Sequence, residues 1–340
     1  MVIDSFPDRV ITVKGEEFLY FGGTSYLGMA TQNEFQKILS DNIGKWGTSY
    51  GSSRNSNVKL SIYEKFESQF SDNVGAQDSA AISSGMLAGK FVIEYLSKTI
   101  TSFYHYPKTH PAVVGPNSSL LFVDGKINGK LQNDQTEEVV ISVDAILSLE
   151  VTPINFDFLK GISPNKKVTL VVDESHSLGI VGEKGEGIFE DIPTENLKRR
   201  ILVSSLGKAL GLSVGIICSD LQFIDSIKSE SNFISSSATN PAYLATYLDA
   251  HKIYAAQRLK LKINLEFISS NLNLNKKYKF DKSYPIIYSN DETIFSSLLD
   301  EHIVITRFKY PTYKNYMNRI VITANHKKSD LEKLVNLLNK

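Results

Sequence analysis

Val171-Val172-Asp173-Glu174-Ser175-His176-Ser177-Leu178-Gly179 is the stretch from which the fold is read. A β-branched, apolar run ends abruptly in an acid, and a histidine follows three positions later. Short runs of this kind alternate along the chain with longer segments of helical period, the pattern of an α/β fold with a mainly parallel sheet covered by helices. In such a sheet, ligands sit beyond the carboxyl ends of the strands, so Asp173 and His176 fall where a small molecule would bind. Taken alone, the same residues describe equally well an aspartate closing a turn beside a surface histidine.

On either side of this stretch, strands are predicted at 79–82, 119–123, 138–143, 168–172, 201–203 and 214–218. Leu60, Ile62, Phe66 and Phe70 recur mostly at helical intervals, and a second helix over 85–96 is entered from a strand through Ser83-Ser84-Gly85. From about residue 221 the texture changes. Helices over 241–259 and 261–272 precede strands at 285–288, 303–306 and 319–323 and a final helix from Ser329, while the Asn/Lys-rich stretch 271–279 reads as surface turns. The 340 residues are therefore divided into an N-terminal segment (1–45), a large domain (46–220) and a smaller α+β C-terminal domain (221–340).

Lys plus Arg and Asp plus Glu both number 37, so no net field draws nucleic acid or an anionic membrane, and any bound anion must be held locally. At 42% hydrophobic and 22% charged, the chain has the profile of a soluble globular protein. No apolar run approaches the roughly 20 residues that span a bilayer, and Met1-Val2-Ile3-Asp4-Ser5-Phe6-Pro7-Asp8-Arg9 lacks the order of a signal peptide. Cys218, the single cysteine, excludes an intrachain disulfide. These features predict a cytoplasmic protein.

About thirty residues beyond Asp173 comes Ser204-Ser205-Leu206-Gly207-Lys208-Ala209-Leu210-Gly211. Glycines on both sides let the backbone pass close to a ligand, and a partly desolvated lysine between them can lose its proton and attack an aldehyde. The spacing of a phosphate-binding P-loop is absent. Pyridoxal phosphate (PLP) needs a lysine for its aldehyde, a carboxylate for its pyridinium nitrogen and neutral donors for its phosphate. Lys208, Asp173, and the hydroxyls and amides of Ser84, Gly85, Met86 and Ser205 meet those needs in turn.

With these residues in place the sequence resembles the fold-type I PLP-dependent transferases, and among them the α-oxoamine synthases. Phe21-Gly22-Gly23-Thr24-Ser25-Tyr26-Leu27-Gly28-Met29 is similar to the family's Tyr-Leu-Gly-Leu segment, and Tyr50-Gly51-Ser52-Ser53-Arg54 to its Ser-Arg turn. The resemblance implies that Lys208 forms the Schiff base, that Asp173 pairs with the ring nitrogen and that His176 donates to the ring oxygen. It further implies that His110 stacks on the ring, with His105 a nearby competitor, and that Ser148 contacts the ring hydroxyl. Arg319, assisted by Thr24, would bind a substrate carboxylate. Ser236 and Ser237, in Ser235-Ser236-Ser237-Ala238-Thr239-Asn240, would reach the phosphate of the opposite subunit, which makes the active unit a homodimer with a shared active site.

The activity implied is condensation of an amino acid with an acyl-CoA or acyl-carrier thioester, with loss of carbon dioxide, to give an α-amino ketone. Lys208, His110 and His176 would be its catalytic residues. Departures from the family concern the substrate. The segment preceding Tyr26 is short, Thr24 replaces an asparagine, Tyr63 stands where the family has a histidine, and Leu149-Glu150-Val151 replaces Met-Asp-Gly. A PLP-dependent aminotransferase and a non-catalytic PLP-fold protein are the alternatives.

Overall fold

The first strands, β1 (Val10–Val13) and β2 (Glu16–Phe21), form a hairpin through Lys14-Gly15, both at positive φ (53° and 88°). Left-handed geometry at both central positions matches the turn to the twist of the strands. Helices α1 (Asn33–Trp46) and α2 (Ser61–Val74) follow. The middle of the chain runs through β3 (Asp78–Ile82), α3 (Gly85–Ser97), β4 (Ser102–His105), β5 (Ser119–Leu120), β6 (Phe122–Val123) and β7 (Lys126–Ile127). Then come β8 (Glu137–Asp144), β9 (Lys166–Asp173), β10 (Leu197–Ser205) and β11 (Gly215–Ser219). Beyond these lie α4 (Leu221–Ser229), α5 (Ser231–Ser235), α6 (Pro241–Asp249), α7 (His251–Asn271), β12 (Tyr278–Lys279) and β13 (Ile286–Ser289). The chain closes with α8 (Ile294–Asp300), β14 (Ile303–Phe308), β15 (Met317–Val321) and α9 (Lys328–Leu338). This computed structural model describes residues 1–274, 277–309 and 316–340; Asn275 and Lys276, within the stretch read as surface turns, lie outside them.

The chain forms two compact units, one of residues 37–207 and 212–250, the other of 1–36, 208–211 and 251–340. In the larger unit the sheet order is β3-β11-β10-β9-β8-β4-β5, and only β11 runs antiparallel to its neighbours. Val139 to Ile141 on β8 and Leu170 to Val172 on β9 are fully buried, as strands covered on both faces require. Against this sheet pack Ala88, Phe91, Val92, Ile93 and Leu96 of α3.

Phe223, Ile224 and Ile227 of α4 and Phe233 of α5 bury in the same core. This corrects the boundary expected at 220: the helices after β11 complete the large unit, and the division falls at 250. There Ala250, at φ −96° and ψ 10°, separates α6 from α7, ten residues before the expected break. The run 119–123 likewise divides, because Leu121 is fully buried and its amide donates to the His105 carbonyl, leaving β5 to pair with β4 and β6 with β7.

The smaller unit has the sheet order β1-β2-β14-β15-β13-β12, parallel only between β2 and β14. The first 36 residues therefore belong with the C-terminal α+β unit and are not a segment apart. His326 holds this unit together. It stacks on Phe21 at 4.0 Å between centroids, its Nδ1 accepts from the Thr323 amide at 2.9 Å, and its Nε2 lies 3.1 Å from the Tyr20 carbonyl, which only an N–H can satisfy. No helix among the described residues is long and apolar enough to cross a membrane, and no group of three or more His, Cys, Asp or Glu among them could hold a metal ion.

Burial drives the His326 pKa down to about 4. The unfolded chain therefore binds a proton that the native chain refuses, and the stability advantage over His326→Asn is full above the ordinary histidine value and lost as pH falls through about 4. Denaturant titrations should show that advantage shrinking by about 3 kcal/mol between pH 7 and pH 4. A difference independent of pH would contradict the buried neutral imidazole.

Candidate active site

The parallel strands of the larger unit deliver their carboxyl ends to one edge. Ile82 ends β3, His105 ends β4, Asp144 ends β8, Asp173 ends β9 and Ser205 ends β10. Asp144 and Asp173 are register partners. Backbone groups beyond such ends have no further strand to pair with, so they are bound by turns or left for a ligand.

Ser84 and Gly85 follow β3. Ser84 is the N-cap of α3, accepting from the Leu87 amide at 3.3 Å, so the first amides of the helix point outward with the positive end of its dipole. A Cβ on Gly85 would lie 2.5 Å from Ser205 Cβ and 2.7 Å from the Ser205 amide nitrogen. A Cβ on Gly215 would lie 2.1 Å from the Ser84 carbonyl oxygen. Two missing side chains thus let the turn after β3 cross over β11 and meet the end of β10. The cradle so formed offers a helix N-terminus and a serine hydroxyl to a phosphate.

Asp173 is joined to this cradle through Ser175. Its carboxylate accepts from the Ser175 amide at 2.9 Å, and the Ser175 hydroxyl accepts from the Ser205 amide at 2.9 Å. Asp173 is buried, whereas His176 beside it is half-buried. A carboxylate held at a strand end next to a phosphate cradle suits a pyridinium phosphate, so the residues present fit PLP. Glu174, fully buried, faces the other way: Ile188 donates its amide to both carboxyl oxygens at 3.1 Å, and Ser177 donates its hydroxyl. Gly187 closes this contact, since a Cβ there would stand 2.2 Å from Glu174 Oε2.

The two histidines expected at the ring differ in setting. His110 is exposed, and its amide donates to Asp144 Oδ1 at 3.1 Å, which brings its segment to the same sheet edge. His105 is half-buried with Nδ1 2.8 Å from the Ser118 hydroxyl, and burial lowers its pKa. Ser148 is half-buried in the turn after β8, next to Leu149 at φ 69°. The Ser236 hydroxyl donates to the Phe233 carbonyl at 3.0 Å, and Ser237 and Met86 are exposed.

In the smaller unit, Arg319 stands in the middle of β15. Its Nη2 donates to the Gly23 carbonyl at 3.0 Å, while its buried Nε has no hydrogen-bond partner among the described residues. An unsatisfied buried guanidinium nitrogen is costly unless a ligand completes it. Thr24, beside Gly23, is half-buried. Lys208, half-buried, follows β10 by three residues. The backbone beyond it is fixed where Tyr254 donates its hydroxyl to the Leu210 carbonyl at 2.9 Å and where a Cβ on Gly211 (φ 69°) would meet Met29 Cβ at 2.7 Å.

Four residues without a predicted role, Ser175, Glu67, Arg54 and Tyr63, stand behind these groups. Glu67 accepts from the Ala81 amide at 2.7 Å and holds Arg54 by two hydrogen bonds of 2.7 and 2.9 Å, and Arg54 donates to the Ala81 carbonyl at 3.1 Å. Together they clamp the last turn of β3 before Ser84. Tyr63 donates to the Thr239 carbonyl at 2.8 Å beneath the Arg54 guanidinium, and burial pushes its pKa up to about 12. The sequence signal for Glu67 was its helical spacing from Tyr63 on α2; for Ser175 there was only its place in the Asp173 stretch.

Residues 137–338 match the aminotransferase class I and II family. An 8-amino-7-oxononanoate synthase of Petrotoga mobilis is 24% identical over 97% of this chain and 90% of its own. A serine palmitoyltransferase of Sphingobacterium spiritivorum is 25% identical over 86% of this chain and 77% of its own. The solved serine palmitoyltransferase of S. paucimobilis, with PLP and myriocin bound, matches with a TM-score of 0.81 at 16% identity, covering 99% of this chain and 91% of that one. That likeness gives the fold, the fold-type I transferase architecture anticipated from the strand and helix order.

Gly85→Ala should force α3 away from Ser205 and weaken PLP binding at least tenfold in a visible absorbance titration, with the melting temperature changed far less. Unaltered affinity would remove the phosphate from this cradle. Burial pushes the Glu174 pKa up to about 7, so the native chain holds a proton that the unfolded chain releases near the ordinary carboxylate value. The stability that Glu174 confers relative to Glu174→Gln is full below about 4.5 and falls as pH rises through about 7, by about 3 kcal/mol in denaturant titrations.

Proposed function

Since the chain belongs to the aminotransferase class I and II family, in its α-oxoamine synthase branch, we propose that it is a PLP-dependent acyltransferase. It condenses an amino acid with an acyl-CoA or other acyl thioester, releases carbon dioxide and leaves an α-amino ketone. The observation that supports the reading is the continuous connection from Gly85 through Ser205 and Ser175 to Asp173, which joins groups suited to a phosphate and to a ring nitrogen at one sheet edge.

When bound, PLP supplies an aldehyde and a ring that accepts the electrons left on a deprotonated Cα. The protein residues do the rest. Ser84 and the amides of Gly85 and Met86 hold the phosphate with Ser205. Asp173 keeps a proton on the ring nitrogen, and His176 donates to the ring oxygen with Ser148 nearby. His110 covers the ring face and orients the incoming carbonyl. Lys208 Nζ would hold the aldehyde and would serve as the base that takes the substrate Cα proton. Arg319 binds the substrate carboxylate as a planar fork, with Thr24 beside it.

The active unit is a homodimer in which Ser236 and Ser237 serve the phosphate of the opposite subunit, and the protein works in the cytoplasm.

Purified protein should absorb in the visible range, and borohydride should attach the pyridoxyl group to Lys208. Lys208→Ala should lose the band and lower kcat by roughly 10³-fold or more. Incubation with glycine, alanine or serine and a panel of acyl-CoAs should release free thiol. Amino-group transfer to a keto acid without thiol release would overturn the condensation reading in favour of transamination.

A further inference from the structure

We infer that Thr306 is a positioning residue for Arg319, acting through the Gly23 peptide; this rests on the reading of Arg319 as the carboxylate-binding group. Thr306 and Arg319 are directly opposed across the antiparallel pair β14–β15, so their side chains stand on the same face. The two do not meet. Between them lies Gly23, whose amide donates to Thr306 Oγ1 at 3.1 Å and whose carbonyl accepts from Arg319 Nη2 at 3.0 Å.

The turn that carries Gly23 has no freedom to supply this contact otherwise. Gly23 is at φ 72°, where an L side chain is strained. A Cβ on Gly22 would come within 2.7 Å of the Tyr20 ring and 2.9 Å of Thr306 Oγ1. The Gly22-Gly23 backbone is thus pressed between the Tyr20 ring and the Thr306 hydroxyl, and its carbonyl is aimed at the guanidinium. Arg319 Cζ lies 5.5 Å from the centroid of the Phe308 ring.

The consequence is preorganisation. One guanidinium N–H is committed to a backbone carbonyl, which fixes the rotation of the fork about its own axis, and the buried Nε is left for the ligand. An arginine held this way loses less side-chain freedom when a carboxylate arrives. Without the Thr306 hydroxyl, the Gly23 amide loses its acceptor, the peptide is free to turn, and the guanidinium loses its reference. Valine at 306 removes the hydroxyl with little change of shape, and serine keeps it.

The experiment follows the absorbance change of the PLP-loaded protein on titration with glycine, L-alanine and L-serine, and compares the best-bound of them with its carboxamide. Thr306→Val should weaken amino-acid binding about tenfold, the loss of one hydrogen bond's ordering. It should narrow the preference for carboxylate over carboxamide by the same factor, while the half-saturation concentration for PLP itself stays put. Thr306→Ser should restore both. If Thr306→Val does not fold, Thr306→Ala carries the same expectation. Unchanged discrimination in the hydroxyl-free variant, alongside lost discrimination in Arg319→Lys, would overturn the inference. Unchanged discrimination in Arg319→Lys would overturn the carboxylate reading beneath it.

Discussion

The Ser205 amide donates to the Ser175 hydroxyl, and the Ser175 amide donates to Asp173. These two bonds fix the end of β10 against the turn that follows β9, and Gly85 packs directly on Ser205, so the start of α3 is set by the same contact. The clamp of Glu67 and Arg54 on Ala81 meets this arrangement from the opposite side, holding β3 where its turn must begin. The turn at Ser84 and Gly85 and the buried Asp173 carboxylate are thereby positioned by backbone groups on rigid strands, the kind of support that gives a site precision without relying on loops.

The core of this arrangement was legible in the sequence. An apolar strand ending in an acid, a lysine between glycines and a Ser-Ser-Gly turn entering a helix are local patterns, and each one lies at a strand end where the fold requires it. What could not be read was non-local. Gly215 carries no chemical signal, and its importance appears only when the Ser84 carbonyl is seen 2.1 Å from where its Cβ would be. The helices α4 and α5 look like the start of a new domain because amphipathic helices announce burial without saying against what. The pairing of β2 with β14 joins residues at opposite ends of the chain, and nothing in the local spacing of either strand encodes its partner.

Two buried ionisable groups, Glu174 in the larger unit and His326 in the smaller, are given over to structure. Glu174 and His326 are both shifted by burial toward their neutral forms, in opposite directions. Each is consumed by backbone amides and carbonyls, so neither is available to a substrate. Asp173, one residue before Glu174, ends β9 and accepts from the Ser175 amide. Adjacent acids thus meet different partners because they face different sides of the strand end.

The smaller unit is assembled from the two ends of the chain, with β2 paired to β14 through Leu19 and Ile303. On the ribosome, the β1–β2 hairpin is made first and then waits through about 280 further residues for its parallel neighbour. During that time it is an open strand edge, while the larger unit can already close on its own core. Glu16 and Glu17 at the exposed start of β2 put charge on that edge. Synthesis of the last strands therefore does more than extend the protein: it ends a period of vulnerability to pairing with other chains.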